Sequence, residues 1–336
     1  MLLVVYASLY PFEGWRAVGL SPFAYLTAPW PRYVTAFDVA VNLAGYLPYG
    51  LLAVAALRPR VRGLAAFALA AASAALLSFA LEAAQTYLPA RFASNLDLIC
   101  NLAGAALGAA LGLGLAPLFA EGPLQRQRAR AFLHGAEIDF GLMLIALWLF
   151  MQLNPAALLF GAGDLRDYLA PWEGRARRPE FFVLIEAFTT GANLLAVGLL
   201  LSLLVAPGWP VRQIFGWLLI AALAVKTAAF AILMRAENFA AFLTYGGQIG
   251  LAVGIGGTLV AVALPRTARL AVAAVLLMAA TVLVNLTPPN PYLADTLKVW
   301  QQGHFLNFNG LTRLVSALWP FAALGYLMFL ATRRLK

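Results

Sequence analysis

Charged residues are scarce in this chain of 336 residues. They make up 11% of it, whereas an average globular protein carries about 25%, and hydrophobic residues make up 63%. A water-soluble fold cannot bury so large an apolar fraction, so the composition predicts an all-α, polytopic membrane protein. The net charge of +9 does not indicate nucleic-acid binding, because most basic residues stand at the ends of apolar segments, where they orient a membrane protein.

Cysteine and histidine are almost absent as well, and several chemistries are excluded with them. The single cysteine, Cys100, rules out an internal disulfide, and the two histidines, His134 and His304, cannot assemble a histidine-rich zinc site. The sequence also lacks a GxSxG elbow, a P-loop and an HExxH motif. We therefore predict no metal, no cofactor and no nucleotide-driven step on this chain, while a membrane enzyme that uses carboxylates stays open.

Apolar segments of about 20 residues, enough to cross ~30 Å of hydrocarbon, recur along the chain. They are predicted at 37–57, 64–88, 96–119, 136–153, 181–206, 213–234, 241–264, 270–286 and 314–332, with a marginal first segment at 1–12. If that segment spans, the arginine clusters after the second, fourth and eighth segments lie on one side, which the positive-inside rule makes cytoplasmic. The prediction is about ten transmembrane helices with both termini cytoplasmic.

The polar stretch 120–135 is predicted to be a cytoplasmic connection between two domains. Four helices precede it in residues 1–119, and six follow it in residues 136–336. Glycines spaced four apart form two rows, which we expect to pack helices closely because each row lies on one helix face. These glycines are Gly104, Gly108 and Gly112 in one row and Gly246, Gly250 and Gly254 in the other.

An internal repeat is the most informative feature of the first domain, because residues 32–45 recur as residues 91–104. Each copy has an arginine in a predicted outer loop, and then Asp and Asn four apart on one helix face. These residues are Arg32, Asp38 and Asn42 in the first copy, and Arg91, Asp97 and Asn101 in the second. The helix dipole favours a carboxylate near an N-terminus, and the amides one turn deeper are expected to face protein.

The helix between the two copies adds a polar stripe at the same level of the membrane. Ser78, Glu82 and Gln85 lie on one face, and an ionisable residue such as Glu82 at that depth is a functional-site hypothesis. Arg91 is expected to pair with Glu82 or Asp97. The cluster has two interpretations: a network that specifies helix packing, or a pocket for a polar headgroup or a cation.

The second domain also concentrates polar residues on its predicted outer side. Glu186 and Lys226 lie inside predicted helices, and at that depth we expect a buried ion pair. The loop 287–313 is rich in proline, aromatic residues and amides, as is typical of a segment at the membrane interface. His304 in this loop is a further candidate for a headgroup site.

Several short motifs together look like the pattern of the VanZ-like family. They are Asp38-x3-Asn42, Pro48-x-Gly50, Ser78-x3-Glu82-x2-Gln85, Pro89-x-Arg91 and Asp97-x3-Asn101-x2-Gly104, and the resemblance covers about residues 1–119. This family is named for a protein associated with low-level resistance to the glycopeptide teicoplanin. The resemblance implies a bacterial cytoplasmic membrane protein with a link to the cell envelope.

Three functions remain open on this basis. The preferred hypothesis is a protein whose outer polar pocket binds a membrane lipid or a lipid-linked envelope precursor without catalysis. The second is a membrane enzyme that acts on a lipid headgroup or glycan, with Glu82 and Asp97 or Asp38 as acid and base. The third is a transporter, in which the two copies of the repeat form a parallel pair.

Overall fold

The computed structural model describes residues 1–17, 19–58, 60–120, 122–166, 178–233, 239–288, 290 and 306–333. Within these ranges the fold is built from helices, and no strand is formed beyond an isolated bridge between Phe132 and Val205. The predicted all-helical class is therefore confirmed. The chain divides into two compact units, Met1–Arg128 and Ala129–Lys336, and each is described by itself.

In the part of unit 1 that the structure describes there are four helices and a short connecting one. They are α1 (Leu2–Leu9), α2 (Ala36–Leu57), α3 (Gly63–Gln85), α4 (Asn95–Ala120) and α5 (Pro123–Ala131), which crosses the division between the units. A 3-10 turn, Ala24–Leu26, stands in the loop before α2. With 8 residues, α1 extends only about 12 Å at 1.5 Å per residue.

Within the described residues, unit 2 holds six further helices. They are α6 (Ala136–Met151), α7 (Pro179–Leu204), α8 (Val211–Leu233), α9 (Tyr245–Ala261), α10 (Arg266–Leu286) and α11 (Leu306–Thr332). The described residues contain 7 helices long and apolar enough to cross a membrane: α2, α3, α4, α7, α8, α10 and α11. With 16 and 17 residues, α6 and α9 are shorter. The count of ten spans and the orientation of the termini stay predictions.

Glycine sets the packing of α2 against α4. A Cβ atom built on Gly104 or Gly108 would overlap the backbone carbonyl of Leu43 or Leu47. The two helices can approach this closely only because these positions carry no side chain. The predicted role of the first glycine row is thereby confirmed, and the contact brings the N-terminal turns of both helices together.

The second glycine row sets the close packing of α9 against α7. A Cβ on Gly246 or Gly250 would lie under 3.0 Å from the backbone carbonyl of Val183 or Ala187, so this row also packs helices as predicted. Helix α7 lies at the centre of unit 2, because 83% of its most apolar stretch of 18 residues is buried. The connection after α6 is buried too, since Leu159 and Phe160 expose 1% and 0% of their surface.

Candidate functional site

The polar cluster of unit 1 begins with a helix cap. Thr35 and Asp38 form a capping box at the start of α2: the Thr35 N–H donates to the Asp38 carboxylate at 3.1 Å, and the Asp38 N–H donates to the Thr35 hydroxyl at 3.1 Å. The box satisfies N–H groups that the first turn of a helix leaves free. Asp38 therefore has a local structural role.

The second copy of the repeat uses the equivalent carboxylate differently. The Asn42 amide donates to the Asp97 carboxylate at 2.8 Å, which joins α2 to α4. The Asn101 amide donates instead to the Ser78 hydroxyl at 3.0 Å and joins α4 to α3. The amides thus face protein, as the sequence predicts, but each finds its partner on another helix rather than in the other amide.

Glu82 is the most deeply placed carboxylate of the cluster, with 3% of its surface exposed. Its carboxylate accepts the backbone N–H of Ser94 at 2.8 Å, just before α4 begins. The Glu82 carboxylate interacts electrostatically with that of Asp97, and the Asp97 carboxylate interacts electrostatically with that of Asp38. Three carboxylates thus share one end of the unit.

The predicted ion pair of Arg91 with Glu82 or Asp97 is wrong. The Arg91 guanidinium donates twice to the backbone carbonyl of Tyr10, with one of these bonds at 3.0 Å. Burial lowers the pKa of Arg91 below its usual range. The arginine therefore fastens the segment after α1 to the α3–α4 loop, and the cause is the loop path, which brings a free carbonyl within its reach.

Of the other predicted residues of unit 1, Gln85 belongs to the hydrogen-bond network and Arg32 lies on the surface. Gln85 donates to the carbonyl of Ser8 at 2.9 Å and so fixes α1 to α3. Arg32 is exposed and is not drawn into the cluster. Most polar groups here bind one another, which favours the interpretation as a packing network over an open pocket.

Two buried polar atoms of this network have no partner among the described residues. They are the Asn101 amide oxygen and the Tyr46 hydroxyl. The hydroxyls of Ser78 and Ser8 lie close to the Tyr46 hydroxyl. Unpaired buried atoms of this kind are costly, and the Tyr46 hydroxyl lies near enough to Glu82 to be affected by its charge. Sequence reasoning missed Tyr46, although a tyrosine one turn after Asn42 was a readable signal.

In unit 2, the predicted ion pair between Glu186 and Lys226 is not formed. Lys226 exposes 0% of its surface, and its ammonium donates to the backbone carbonyls of Asn154 at 2.7 Å and Ala157 at 3.0 Å. The ammonium also lies 5.7 Å from the centre of the Phe230 ring. The lysine thus binds the connection after α6, whose carbonyls need donors because the connection itself is buried.

Two further side chains from different helices support the same connection. The Thr190 hydroxyl on α7 donates to the carbonyl of Leu159 at 3.0 Å, and the Asn285 amide on α10 donates to the carbonyl of Gly163 at 2.6 Å. Irregular backbone at membrane depth is tolerated where protein satisfies its polar groups or where it lines a cavity. This connection has protein donors for its carbonyls, and it also lines a cavity.

A cavity of about 70 Å³ lies between this connection and the helices around it. We call it the Glu186 cavity; its polar lining comprises Asp164, Arg166, Glu186, Thr287, Asn290 and Ser316. Glu186 exposes 7% of its surface and forms no ion pair with any described residue. The hydroxyl of Thr244, the N-cap residue of α9, interacts with the Glu186 carboxylate as a hydrogen-bond donor.

The other two charges of the Glu186 cavity neutralise each other. Arg166 holds Asp164 with two hydrogen bonds, at 2.9 and 2.6 Å, and also donates to the carbonyl of Thr287 at 3.0 Å. Burial acts to raise the pKa of Asp164, but the hydrogen bonds and charge of Arg166 outweigh it, so that the pKa lies below its usual range. This pair was missed in the sequence, where 154–180 reads only as a long loop of mixed charge. His304 lies outside the described residues.

An all-helical fold with 7 apolar helices of membrane-crossing length defines a multi-pass membrane protein. Its first third is more specific, because residues 1–119 match the model of the VanZ/LLP1 family. Residues 1–119 are therefore similar to this family, as their motifs predict. A search of curated proteins and a search of solved structures each found no match to the chain.

Proposed function

We propose that this chain is an envelope-associated protein of the bacterial cytoplasmic membrane that binds a lipid-linked or amphiphilic ligand in the Glu186 cavity. The observation that carries the proposal is a buried carboxylate without a cationic partner on the wall of a cavity. A carboxylate kept from water needs a donor or a positive charge. The Thr244 hydroxyl provides one donor, and a ligand ammonium supplies the positive charge.

The size of the cavity limits what enters it. About 70 Å³ accommodates a small headgroup element, since a water molecule takes about 30 Å³ of liquid volume. The acyl or polyprenyl part of the ligand stays in the membrane. Under the predicted topology this cavity lies on the outer side of the membrane, and the family's association with teicoplanin resistance fits a ligand of the cell envelope.

The test measures binding of a defined amphiphile to the full-length protein in detergent. Dioctanoyl phosphatidylethanolamine presents an ammonium, and dioctanoyl phosphatidylcholine is the matched lipid without an N–H donor. We expect the first to bind more tightly and Glu186→Gln to weaken it roughly tenfold, because a hydrogen bond to a charged group contributes about 1.5–3 kcal/mol.

Glu180→Gln is the control, because Glu180 is exposed on the same helix and makes the same charge change. Equal binding of both lipids to wild type and to Glu186→Gln would refute an amine-recognising cavity. Mass spectrometry of lipids that copurify with wild type, but not with Glu186→Gln, identifies the natural ligand.

A second candidate function is a membrane enzyme that uses Glu82 and Asp97 of unit 1. Its specific support is the electrostatic contact between these two carboxylates beside the unpaired Tyr46 hydroxyl, because acid–base catalysis needs two titratable groups near one another. Glu82→Gln is expected to abolish cellular function at normal protein level, and Glu13→Gln, an exposed change in the same unit, is expected to preserve it. Full function of Glu82→Gln ends this candidate.

A further inference from the structure

A second cavity lies at the other end of the molecule's first unit, where α2 ends and α3 begins. Its volume is about 230 Å³. Arg58 and Arg62 line its polar side, and Val54, Ala66 and Leu113 line its apolar side. We call it the arginine cavity. It lies far along α2 from Asp38 and Asn42, so it is separate from the polar cluster described above.

Neither arginine of this cavity is engaged by the protein. Within the described residues, the side chains of Arg58 and Arg62 make no hydrogen bond and no ion pair. An unpaired guanidinium presents several N–H donors in a planar fork that fits phosphate oxygens. Two of them on one cavity make a site for an anion.

Three arginines of unit 2 have a structural role, because their side chains donate hydrogen bonds to the ends of neighbouring helices. Arg212, Arg266 and Arg269 each donate to a carbonyl near the end of a neighbouring helix. The acceptors are Leu259 at 3.1 Å, Leu330 at 2.6 Å and Ser202 at 3.0 Å. Such bonds satisfy carbonyls that a helix end leaves free. Arg58 and Arg62 have no comparable acceptor, so helix capping does not account for their side chains.

The start of α3 adds donors to the same cavity. Gly63 begins the helix and lines the cavity, the preceding Arg62 provides no side-chain cap, and the first turn contains no acidic residue. The first N–H groups of this helix therefore have no side-chain acceptor, and the helix dipole makes this end positive. An anion in the cavity would meet both the guanidinium groups and this helix end.

The apolar side determines which anion fits. Val61 and Leu113 also line the cavity and are partly exposed, so they offer carbon contacts to a molecule that is not purely ionic. The loop that carries Arg58 and Arg62 is predicted to be cytoplasmic. There the membrane surface contains anionic phospholipids, for which basic pockets between helices are suited.

We propose that the arginine cavity binds the phosphate group of an anionic phospholipid, with Arg58 and Arg62 on the phosphate and Val61 and Leu113 against the glycerol and upper acyl carbons. This site is independent of the Glu186 cavity and of the ligand proposed there. It assigns unit 1 a lipid contact on the side opposite to its polar cluster.

The experiment measures binding of short-chain lipids to the purified full-length protein by native mass spectrometry and by thermal stabilisation. The probes are dioctanoyl phosphatidylglycerol, dioctanoyl phosphatidylcholine and inorganic phosphate. Wild type is expected to prefer phosphatidylglycerol. The double variant Arg58→Gln/Arg62→Gln is expected to bind it about 25-fold more weakly, since each arginine near a membrane surface contributes about a fivefold factor.

Arg60→Gln is the matched control, because Arg60 lies in the same loop but does not line the cavity. Unchanged binding by Arg60→Gln supports the proposal, and an equal loss in Arg60→Gln overturns it in favour of general surface charge. Inorganic phosphate that binds as tightly as the lipid overturns the lipid assignment. Arg58→Lys/Arg62→Lys, which keeps both charges, is expected to regain part of the affinity and shows that the fold is intact.

Discussion

Substituting Gly104 by alanine tests the close contact between α2 and α4. The added Cβ would overlap the carbonyl oxygen of Leu43 and lie 2.8 and 2.9 Å from its carbonyl carbon and Cα. These are backbone atoms, and they cannot rotate away as the end of a side chain would. The helices must therefore move apart, and the 2.8 Å hydrogen bond between Asn42 and Asp97 is lengthened with them.

The expected cost follows from three contributions. Overpacking a tight contact costs about 1–3 kcal/mol, and weakening a hydrogen bond to a charged group costs about a further 1 kcal/mol. Alanine regains about 1 kcal/mol because it favours the helical backbone over glycine. We expect Gly104→Ala to lower the free energy of unfolding by about 2 kcal/mol.

Gly45 provides the control, because it is the counterpart of Gly104 in the repeat. A Cβ built on Gly45 has no atom within 4 Å, so Gly45→Ala is expected to be neutral or stabilising by up to about 1 kcal/mol. Both variants are compared with wild type by titration with sodium dodecyl sulfate, following tryptophan fluorescence. Equal stabilities of Gly104→Ala and Gly45→Ala would show that the close contact does not limit the packing.

Two further predictions concern unit 2. Lys226→Met removes the donor to the carbonyls of Asn154 and Ala157. Each unsatisfied acceptor costs about 1–3 kcal/mol, and this cost is partly offset because a buried charge is removed as well. We therefore expect a lower Tm in a thermal melt, and an unchanged Tm would mean that these bonds make no net contribution to stability. Asp164 stabilises the fold above its unfolded-state pKa, since its folded pKa is the lower one, and this contribution is lost as the pH falls through the folded value. Between about pH 5 and pH 2, the Tm of wild type is therefore expected to fall more than the Tm of Asp164→Asn. The difference between the two is expected to be small, because Asp164 is 47% exposed. Identical pH profiles would contradict a stabilising role for the bond between Asp164 and Arg166.

The long helices were predictable because their signal is local. The apolar segment predicted at 37–57 is α2, Ala36–Leu57, and that at 213–234 is α8, Val211–Leu233. Length and hydropathy suffice there, since a helix satisfies its own backbone hydrogen bonds. The glycine rows were equally predictable, because four-residue spacing alone places them on one face.

The partners of the polar residues were not predictable from the same pattern. Asp38 and Asp97 stand at identical positions of the repeat, yet one caps its own helix and the other accepts from Asn42. The difference arises from how α2 and α4 are displaced along each other, which the repeat does not encode. Lys226 shows the same limit, because its acceptors lie in a connection whose path into the unit has no sequence signature.

The buried connection after α6 has a consequence for the order of assembly. Its carbonyls are satisfied by Thr190, Lys226 and Asn285, all of which are synthesised after it. When α6 leaves the ribosome, the donors for this segment do not yet exist, and hydrocarbon offers no substitute. These carbonyls gain their donors only once α7, α8 and α10 have been synthesised. A chain truncated before α10 would therefore leave the carbonyl of Gly163 without the donor from Asn285.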